Sequence, residues 1–282
     1  MDLRRLASVL VVTVVLVIHV GGEVARANIL FRVQNKFAGR NRSLDALKAH
    51  DAHRQARILS AVDLPLGGDS LVESTGLYFT KIGLGSPPKD YYVQVDTGSD
   101  ILWVNCAGCT SCPKKSDLGI KLTLYDSKSS STAKRVTCDD DFCTLISSSQ
   151  ASTCQSGSPC KYIVVYGDGS STNGYFVRDT VQLDQVTGNH QTRSTNGNIV
   201  FGCGAKQSGQ LGGSQSAVDG ILGFGQKETS MISQLAAAGK VARKFAHCLD
   251  NVNGGGIFAI GEVVSPKVKT TPMVPNQYVM LS

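Results

Sequence analysis

Residues 93–104 read Val-Gln-Val-Asp-Thr-Gly-Ser-Asp-Ile-Leu-Trp-Val, and this stretch decides the fold of the chain. Two short apolar runs flank a turn that presents a carboxylate at Asp96, hydroxyls at Thr97 and Ser99, and a glycine at Gly98. Glycine permits close backbone approach and unusual dihedral angles. The two hydroxyls can donate hydrogen bonds that orient the carboxylate and hold its charged form, as a catalytic acid or base requires. The stretch therefore predicts two strands joined by a turn that carries a catalytic aspartate.

Two further motifs follow this turn along the chain. Asp-Thr-Gly by itself is a weak signal, because turns favour these residues for structural reasons alone. Residues 166–170, Tyr-Gly-Asp-Gly-Ser, have the form of a hairpin tip, which a simple Asp-Gly turn would also explain. Residues 219–225, Asp-Gly-Ile-Leu-Gly-Phe-Gly, combine apolar side chains with glycines. Three motifs in a fixed order carry more information than any one of them.

Together the three motifs resemble those of the pepsin-like aspartic proteases, peptidase family A1, from about Leu77 onward. The resemblance implies that Asp96 is a catalytic carboxylate and that its neighbours support it: Thr97, Gly98, Ser99 and Trp103. It implies that the hairpin tip is the flap that closes over substrate: Tyr166, Gly167, Asp168 and Gly169. The tyrosine is expected to hydrogen-bond toward Trp103, and Asp168 stands where threonine is frequent in the family. Residues 219–225 are expected to pack behind the catalytic turn.

Short apolar runs bounded by Gly, Ser, Asp or Pro occupy much of the chain after Gly76. Such runs are typical of β-strands, and we expect strands at 77–84, 91–95, 101–104, 162–166, 175–183, 199–202 and 257–260. Helix signals are few, and the clearest is Thr229–Ala238, which closes at Gly239. The sequence therefore predicts an all-β fold with few short helices. In the family that it resembles, this is the N-terminal lobe of a two-lobed, barrel-like acid protease.

Nine cysteines lie beyond residue 105 and predict disulfides in an oxidising compartment. A zinc site that begins at Cys106-x2-Cys109 is the alternative, but no histidine lies near these cysteines. The residues alone do not choose among the possible pairings. The Cys-x2-Cys-x2-Cys run after Trp103 resembles the plant nepenthesin-like branch of the family. That resemblance implies the pairs Cys106–Cys109, Cys112–Cys203, Cys138–Cys160 and Cys143–Cys154, and it leaves Cys248 for a bond to the other lobe.

The first 61 residues differ from the rest in charge. Of the chain's 28 Lys+Arg and 22 Asp+Glu they hold 10 and 4, so residues 62–282 hold 18 of each and offer no basic stripe for nucleic acid. Arginines precede a short apolar run and an Ala-x-Ala site, the layout of a secretory signal peptide rather than of a membrane span. We predict a signal peptide at 1–27, a propeptide or N-terminal arm at 28–73, the N-terminal lobe at 74–269 with a cysteine-rich insert at 106–160, and the start of a truncated second lobe at 270–282.

The functional expectation follows from the count of catalytic motifs. An aspartic protease needs two carboxylates that share one proton, because like charges at close range cannot both ionise. The sequence has one Asp-Thr-Gly and no second Asp-Thr/Ser-Gly. We expect an N-terminal fragment of an aspartic endopeptidase, a zymogen without cofactor or metal that cleaves protein or peptide substrates at acid pH. Its predicted destination is the secretory pathway, then apoplast, cell surface or vacuole. The alternatives are an inactive lobe that binds peptides or proteins, and a homodimer that donates two copies of Asp96.

Overall fold

The structure, a computed structural model, describes residues 62–68, 78–146, 154–186, 192–249, 255–261, 269 and 271–272. Its strands are β1 (Val62–Gly67), β2 (Phe79–Leu84), β3 (Lys89–Asp96), β4 (Leu102–Thr110), β5 (Lys134–Arg135), β6 (Lys161–Val165), β7 (Ser171–Val186), β8 (Thr192–Ser208), β9 (Gly220–Gly223), β10 (Phe245–Leu249) and β11 (Gly256–Ile260). The described helices are α1 (Asp141–Ile146) and α2 (Met231–Ala237), with two 3₁₀ turns at Ser127–Ser129 and Gly209–Gly212. The predicted all-β fold with few short helices is confirmed.

Six strands form a closed ring in the order β2-β3-β9-β4-β8-β7, and β7 pairs back onto β2. Most neighbours are antiparallel, but β9 runs parallel to β3 and β8 runs parallel to β4. Strands β1, β11 and β10 continue the sheet beyond β2, while β5 and β6 pair with β7. A closed ring leaves no free sheet edge among its members. It also brings the end of β3, where Asp96 lies, against β9.

Two clusters of buried apolar side chains lie on opposite faces of the sheet, because neighbouring residues of one strand, such as Leu102 and Trp103, belong to different clusters. The larger cluster is mostly aliphatic and includes Tyr125 and Phe201, whose rings meet edge to face at 5.0 Å between centroids. The smaller cluster surrounds Trp103 and Phe176. Burying a large apolar side chain stabilises a fold by about 1.5–3 kcal/mol. The smaller cluster lies directly behind the predicted site, so packing there fixes the strand that carries Trp103.

Helix α2 forms where the sequence predicts it. The Ser230 side chain caps its N-terminus by accepting a hydrogen bond from the Ser233 amide, and Gly239 adopts a positive φ of 67° just after its end. Gln234 joins the helix to β8, because its side-chain amide both accepts from Val200 N at 2.7 Å and donates to Val200 O at 2.9 Å. The helix is therefore held against the ring by polar bonds as well as by its buried apolar side chains.

Strand β1 lies inside the segment that we interpreted as a propeptide or N-terminal arm. It pairs antiparallel with β11 over five residue pairs, Val62–Ile260 to Leu66–Gly256, and with β2 through Leu66–Thr80 and Gly67–Phe79. Its apolar residues alternate, which is a strand signal, although a proline in the middle of a strand is uncommon. The structure thus places part of residues 28–73 within the sheet.

The disulfide pairing inferred from the resemblance is wrong throughout. The structure has Cys106–Cys203, Cys109–Cys112, Cys138–Cys154 and Cys143–Cys160, in place of Cys106–Cys109, Cys112–Cys203, Cys138–Cys160 and Cys143–Cys154. The parallel pairing of β4 with β8 brings the Cα atoms of Cys106 and Cys203 to 5.4 Å, within the usual range for a disulfide. Cys109 and Cys112 then flank a local chain reversal at Ser111, which has a φ of 62°.

In the cysteine-rich insert four sulfur atoms lie close together, those of Cys138, Cys143, Cys154 and Cys160. Sγ of Cys143 lies 3.7 Å from Sγ of Cys154, although these two are not bonded. Sequence spacing cannot separate pairings that bring the same sulfurs together. A zinc site would need thiolates, and eight of the nine cysteines are oxidised to disulfides here. Among the described residues, no helix has the length and apolar character needed to cross a bilayer.

Candidate active site

Asp96 is the last residue of β3, at the point where the strand leaves the ring. Its side chain is half-buried, and Oδ1 accepts a hydrogen bond from the Gly98 amide at 2.8 Å. Its main-chain oxygen accepts from the Phe224 amide at 2.8 Å. Among the described residues no donor reaches Oδ2, so this oxygen is free to accept a proton or a water molecule. The carboxylate is therefore oriented through the backbone on both sides of the turn.

The hydroxyl groups of the turn do not orient Asp96 as predicted. In the described part of the chain neither Thr97 nor Ser99 donates to the carboxylate, and the Gly98 amide takes that role. The Ser99 hydroxyl is buried without a hydrogen-bond partner of normal geometry. It lies close enough to Tyr166 to lower the pKa of that phenol, an effect smaller than the rise caused by burial. Sequence reasoning chose the right turn but the wrong donor.

Strand β9 and the residues after it support the turn from behind, as predicted for residues 219–225. The Gly225 amide donates to Ser99 O at 2.8 Å, and the Gly223 amide donates to Ile101 O at 3.2 Å. A Cβ atom at Gly223 would lie 2.6 Å from both Ser99 O and the Asp100 carbonyl carbon, so only glycine fits there without displacing backbone. The close approach lets β9 hold residues 96–101 by main-chain bonds.

Asp100 and Lys227 add a contact that sequence reasoning missed. Oδ1 of Asp100 accepts from the Lys227 amide at 3.2 Å, and its Oδ2 lies 3.2 Å from Lys227 Nζ. The Lys227 side chain is largely exposed, so the ion pair itself is screened by solvent and contributes little. No motif joins two residues 127 positions apart, and only the fold brings them together. The pair fastens the segment after β9 to the far end of the catalytic turn.

Asp219 is a buried carboxyl group at the entrance to β9. Its Oδ2 accepts from the Tyr92 amide at 2.7 Å and its Oδ1 from the Thr123 amide at 2.6 Å, while its own amide donates to Tyr92 O at 2.7 Å. Burial raises the pKa of Asp219 to about 6, because the two amide hydrogen bonds only partly offset the loss of solvent. This group ties β3 and a neighbouring loop to β9, four residues before Asp96 pairs with Gly223.

The predicted contact between the flap and the strand after the turn is present. Nε1 of Trp103 donates to the Tyr166 hydroxyl at 2.7 Å, and the indole is buried with 2% exposure. Burial raises the pKa of Tyr166 well above its usual value, and the negative charge of Asp96 adds to the effect. Tyr166 is therefore a neutral phenol at any working pH. The hydrogen bond closes the hairpin tip over the strand that leaves the catalytic turn.

The flap itself is the hairpin of β6 and β7, and its tip is residues 166–170. The Tyr166 amide donates to Ser170 O at 2.9 Å, and Gly169, with a φ of 80°, donates to Tyr166 O at 3.0 Å. Oδ1 of Asp168 accepts from the Ser170 hydroxyl at 2.7 Å and from the Ser170 amide at 2.9 Å. These bonds lower the pKa of Asp168, with the hydroxyl as the largest cause. The positive φ explains why glycine is needed at position 169.

Comparison with known proteins gives one family. The profile of the family described as "Xylanase inhibitor N-terminal" matches residues 78–262. Aspartic proteinase 36 of Arabidopsis thaliana is 61% identical over 277 residues, which are 98% of this chain and 56% of that protein. Aspartic proteinase 39 of the same plant is 57% identical over 277 residues, again 98% of this chain and 57% of that protein. The chain thus spans just over half the length of these two relatives.

Solved structures agree on the fold. Conglutin gamma from lupine seeds superposes with a TM-score of 0.54 at 21% identity, covering 74% of this chain and 51% of that one. Basic 7S globulin from soybean superposes with a TM-score of 0.52 at 21% identity, covering 72% of this chain and 50% of the globulin. At this level of identity the likeness shows a shared architecture and nothing about activity.

Proposed function

Since the chain belongs to the plant aspartic proteinases of the pepsin-like family and carries their N-terminal lobe, we propose that it supplies half of the catalytic centre of an endopeptidase that works at acid pH. The observation that carries the proposal is Asp96. Its carboxylate is held by the Gly98 amide and is backed by β9, which lies between β3 and the strand that bears Trp103 and the flap contact. The similarity to the two aspartic proteinases supports the family assignment, and the geometry of the turn supports Asp96 as a catalytic residue.

The proposed chemistry needs a second carboxylate, which a second lobe would bring opposite Asp96. Two carboxylates at close range share one proton, so one member is ionised and the other is protonated. The ionised member takes a proton from a bound water, which attacks the scissile carbonyl, and the protonated member polarises that carbonyl. The pKa values of such a pair belong to the pair rather than to either residue. In this scheme the free Oδ2 of Asp96 is the atom available to water.

Substrates in this proposal are proteins or peptides in an extended conformation. The flap tip at residues 166–170 is tethered over the strand after the catalytic turn by the Trp103–Tyr166 bond. Its outer strand, β6, carries two exposed apolar side chains, Ile163 at 60% and Val165 at 68%. Strand β7 is paired with β8 up to Ser171–Ser208, so in this proposal only the tip beyond that pair moves to admit a peptide and then cover it.

Cys248 supports the proposed second lobe. It is the one cysteine outside a disulfide, it is exposed, and it lies on β10 opposite Ile257 of β11. Leu249 and Ile257 beside it are exposed at 41% and 51%. Ile257 lies across from Cys248 and shares its face of the sheet, whereas Leu249 lies on the other face. An exposed thiol outside a disulfide is unusual for a secreted protein. We infer that this face meets the second lobe and that Cys248 forms a disulfide with it.

The proposed location is the secretory pathway. A leader with the form of a signal peptide and four disulfides in the structure support an oxidising compartment. An acidic extracellular space or vacuole would suit an enzyme that needs one protonated carboxyl group. Detection of the tagged chain in culture medium or in isolated vacuoles would test this part of the proposal.

The test joins the 282 residues to the C-terminal half of the 61% identical Arabidopsis relative and measures casein digestion from pH 3 to 7. We expect digestion that peaks at acid pH and falls by three orders of magnitude or more in Asp96→Asn. Asp141→Asn is the matched control, because Asp141 is an exposed carboxylate on α1 far along the chain from the turn. A chimera that is folded and inactive, or equal activity in Asp96→Asn, would contradict the proposal.

The same assay decides the second candidate, a lobe that binds peptides without cleaving them. The observation in its favour is that the 282 residues hold one Asp-Thr-Gly motif. For this candidate the chain without the added half should bind casein-derived peptides, with no cleavage and no effect of Asp96→Asn. Cleavage by the chain alone, lost in Asp96→Asn, would instead indicate a homodimer with two copies of Asp96.

A further inference from the structure

Strand β1 is an interior strand of the sheet. β11 pairs with one of its edges along the whole strand, and β2 pairs with the other edge near Leu66. The Thr80 hydroxyl of β2 donates to Pro65 O at 2.9 Å, which adds a side-chain bond across the same edge. A strand paired on both sides leaves two rows of backbone groups unsatisfied when it is removed.

The side chains of β1 belong to the main apolar core. Val62, Leu64 and Leu66 are exposed by 1%, 2% and 8%, and all three are members of the larger buried cluster. Pro65 between them faces solvent. The alternation is that of a strand with one buried face, and the buried face contributes to the core as fully as the neighbouring strands do.

The charge of the sequence changes at the same place. Residues 1–61 carry 10 Lys+Arg against 4 Asp+Glu, whereas residues 62–282 are balanced at 18 of each. The net charge of the chain therefore resides entirely before Val62. The segment that is chemically unlike the lobe ends where the sheet begins, and the matched family profile, which starts at residue 78, does not mark this limit.

We propose that β1 is a permanent strand of the mature lobe, and that the proteolytic cut that removes the leader lies on the N-terminal side of Val62. A cut at residue 73 or 74, the boundary expected from the sequence, would sever β1 from the strands it pairs with. It would also uncover β2, which pairs with β3 along Phe79–Gln94 and Thr80–Val93, only a few residues from Asp96. Removal of β1 would thus destabilise β2 and, through it, β3, the strand that carries Asp96.

The experiment expresses the full chain with its own leader in plant cells and determines the N-terminus of the product by sequencing and intact mass. We expect a first residue at or before position 62. A product that begins between residues 63 and 78 would overturn the proposal, whether or not the excised strand stays bound. Neither outcome depends on peptidase activity. This test can therefore fail while the proposed function stands, and the proposed function can fail while this test succeeds.

A second measurement addresses the strand itself. Leu64→Ala in the full chain should lower the melting temperature by about 5–15 °C, because a fully buried leucine is truncated. Leu124→Ala is the matched control, since Leu124 is 47% exposed, and it should leave the melting temperature within about 2 °C. If the two variants melt together, β1 is not part of the folded lobe and the proposal is wrong.

Discussion

The catalytic turn and the flap tip are two short turns of similar length, and the fold holds them in different ways. The catalytic turn is bonded from behind by the backbone that follows β9, through the amides of Phe224 and Gly225. The flap tip at residues 166–170 is held by bonds within itself, by the side-chain bond from Trp103 to Tyr166, and at its base by the pairing of Ser171 with Ser208. A movement of the catalytic turn would break main-chain bonds to the segment behind it, whereas a movement of the flap tip would break the side-chain bond from Trp103 to Tyr166.

The carboxyl groups that hold the two turns have pKa values shifted in opposite directions. Burial raises the pKa of Asp219, which fastens β9 behind the catalytic turn. Hydrogen bonds from Ser170 lower the pKa of Asp168, which closes the flap tip. Acidification therefore favours the folded form of the catalytic support and weakens the closure of the flap tip. At acid pH the support of the catalytic turn is therefore strengthened, while the flap tip, where a peptide would enter, is loosened.

The largest expected effect comes from adding one methyl group to each region. In Gly223→Ala the new Cβ meets main-chain atoms of Ser99 and Asp100 that cannot rotate away. We expect a loss of about 3 kcal/mol or more in the free energy of unfolding, and a fall in melting temperature of roughly 8 °C. Gly167→Ala in the flap tip is the control, because its Cβ has no atom within 4 Å.

The melting temperature of Gly167→Ala should stay within about 2 °C of the parent. Thermal unfolding followed by circular dichroism measures both variants. If Gly223→Ala melts with the parent protein, β9 does not support the turn as closely as its geometry indicates. If both variants lose stability equally, the contrast between a fixed turn and an open tip is wrong.

The next effect is the pH dependence conferred by Asp219. Its folded pKa of about 6 lies above its ordinary value of 3.8, so the folded chain binds more protons than the unfolded chain between these values. The stability due to this group is complete below about pH 4 and is lost as pH rises through 6. We expect the melting temperature to fall by several degrees from pH 4 to pH 7.

Asp219→Asn isolates this contribution, because asparagine does not titrate. The variant should be less stable at every pH, since its amide group cannot accept from both Tyr92 and Thr123, which donate to the two oxygens of Asp219. The part of the slope between pH 4 and 7 that comes from Asp219 should vanish. Equal slopes in parent and variant would show that other groups set the pH dependence.

Local sequence patterns predicted much of the fold and the centre of the site. Seven of the strands after Gly76, helix α2, the turn at Asp96 and the Trp103–Tyr166 contact are each encoded within a few neighbouring residues or in a pair of motifs, whereas β5, β9 and β10 lie outside the predicted strand ranges. Alternation of apolar residues sets strands, and Ser230 and Gly239 set the ends of the helix. These features need no knowledge of which strand lies beside which.

What the sequence could not predict depends on strand order. The pairing of Cys106 with Cys203 follows from β4 lying beside β8, and the Asp100–Lys227 contact follows from β9 lying behind the turn. The Gly98 amide, rather than a hydroxyl, orients Asp96, because the turn geometry points the amide inward. Strand β1 was not predicted, because its main partner, β11, lies almost 200 residues further along the chain.

We expect a smaller loss of stability when the side-chain bond between Trp103 and Tyr166 is removed. Tyr166→Phe removes the hydroxyl that accepts from Trp103 and leaves a buried indole N–H unsatisfied. Such a loss costs about 1–3 kcal/mol, which is a fall of a few degrees in melting temperature. Trp103 is the only tryptophan in the chain, so its fluorescence reports the tether directly. We expect a shift of its emission maximum in this variant.

Tyr175→Phe is the matched control, because the Tyr175 ring stacks under Arg135 and the structure shows no hydrogen bond to its hydroxyl in the described residues. Its emission spectrum and melting temperature should equal those of the parent protein. An unchanged spectrum in Tyr166→Phe would mean that the flap tip is held by its own bonds alone. The flap tip would then lack the side-chain attachment to the strand after the catalytic turn, and the role given to Tyr166 would be wrong.

The smallest expected effect lies in the closure of the flap tip. The folded pKa of Asp168 is below its ordinary value, so the stability it contributes is present above that value and is lost as pH falls through the folded pKa. Because Asp168 is exposed, the melting temperature should hardly change, and the readout is amide exchange at Ser170, whose N–H donates to it. Protection of this amide, corrected for intrinsic rates, should be constant above about pH 4 and fall as the pH is lowered further. Asp168→Asn keeps an acceptor oxygen and cannot titrate, so its protection should be independent of pH. If the asparagine variant loses protection as the parent does, acid does not loosen the flap through this carboxylate, and the opposite responses of the two turns reduce to that of Asp219 alone.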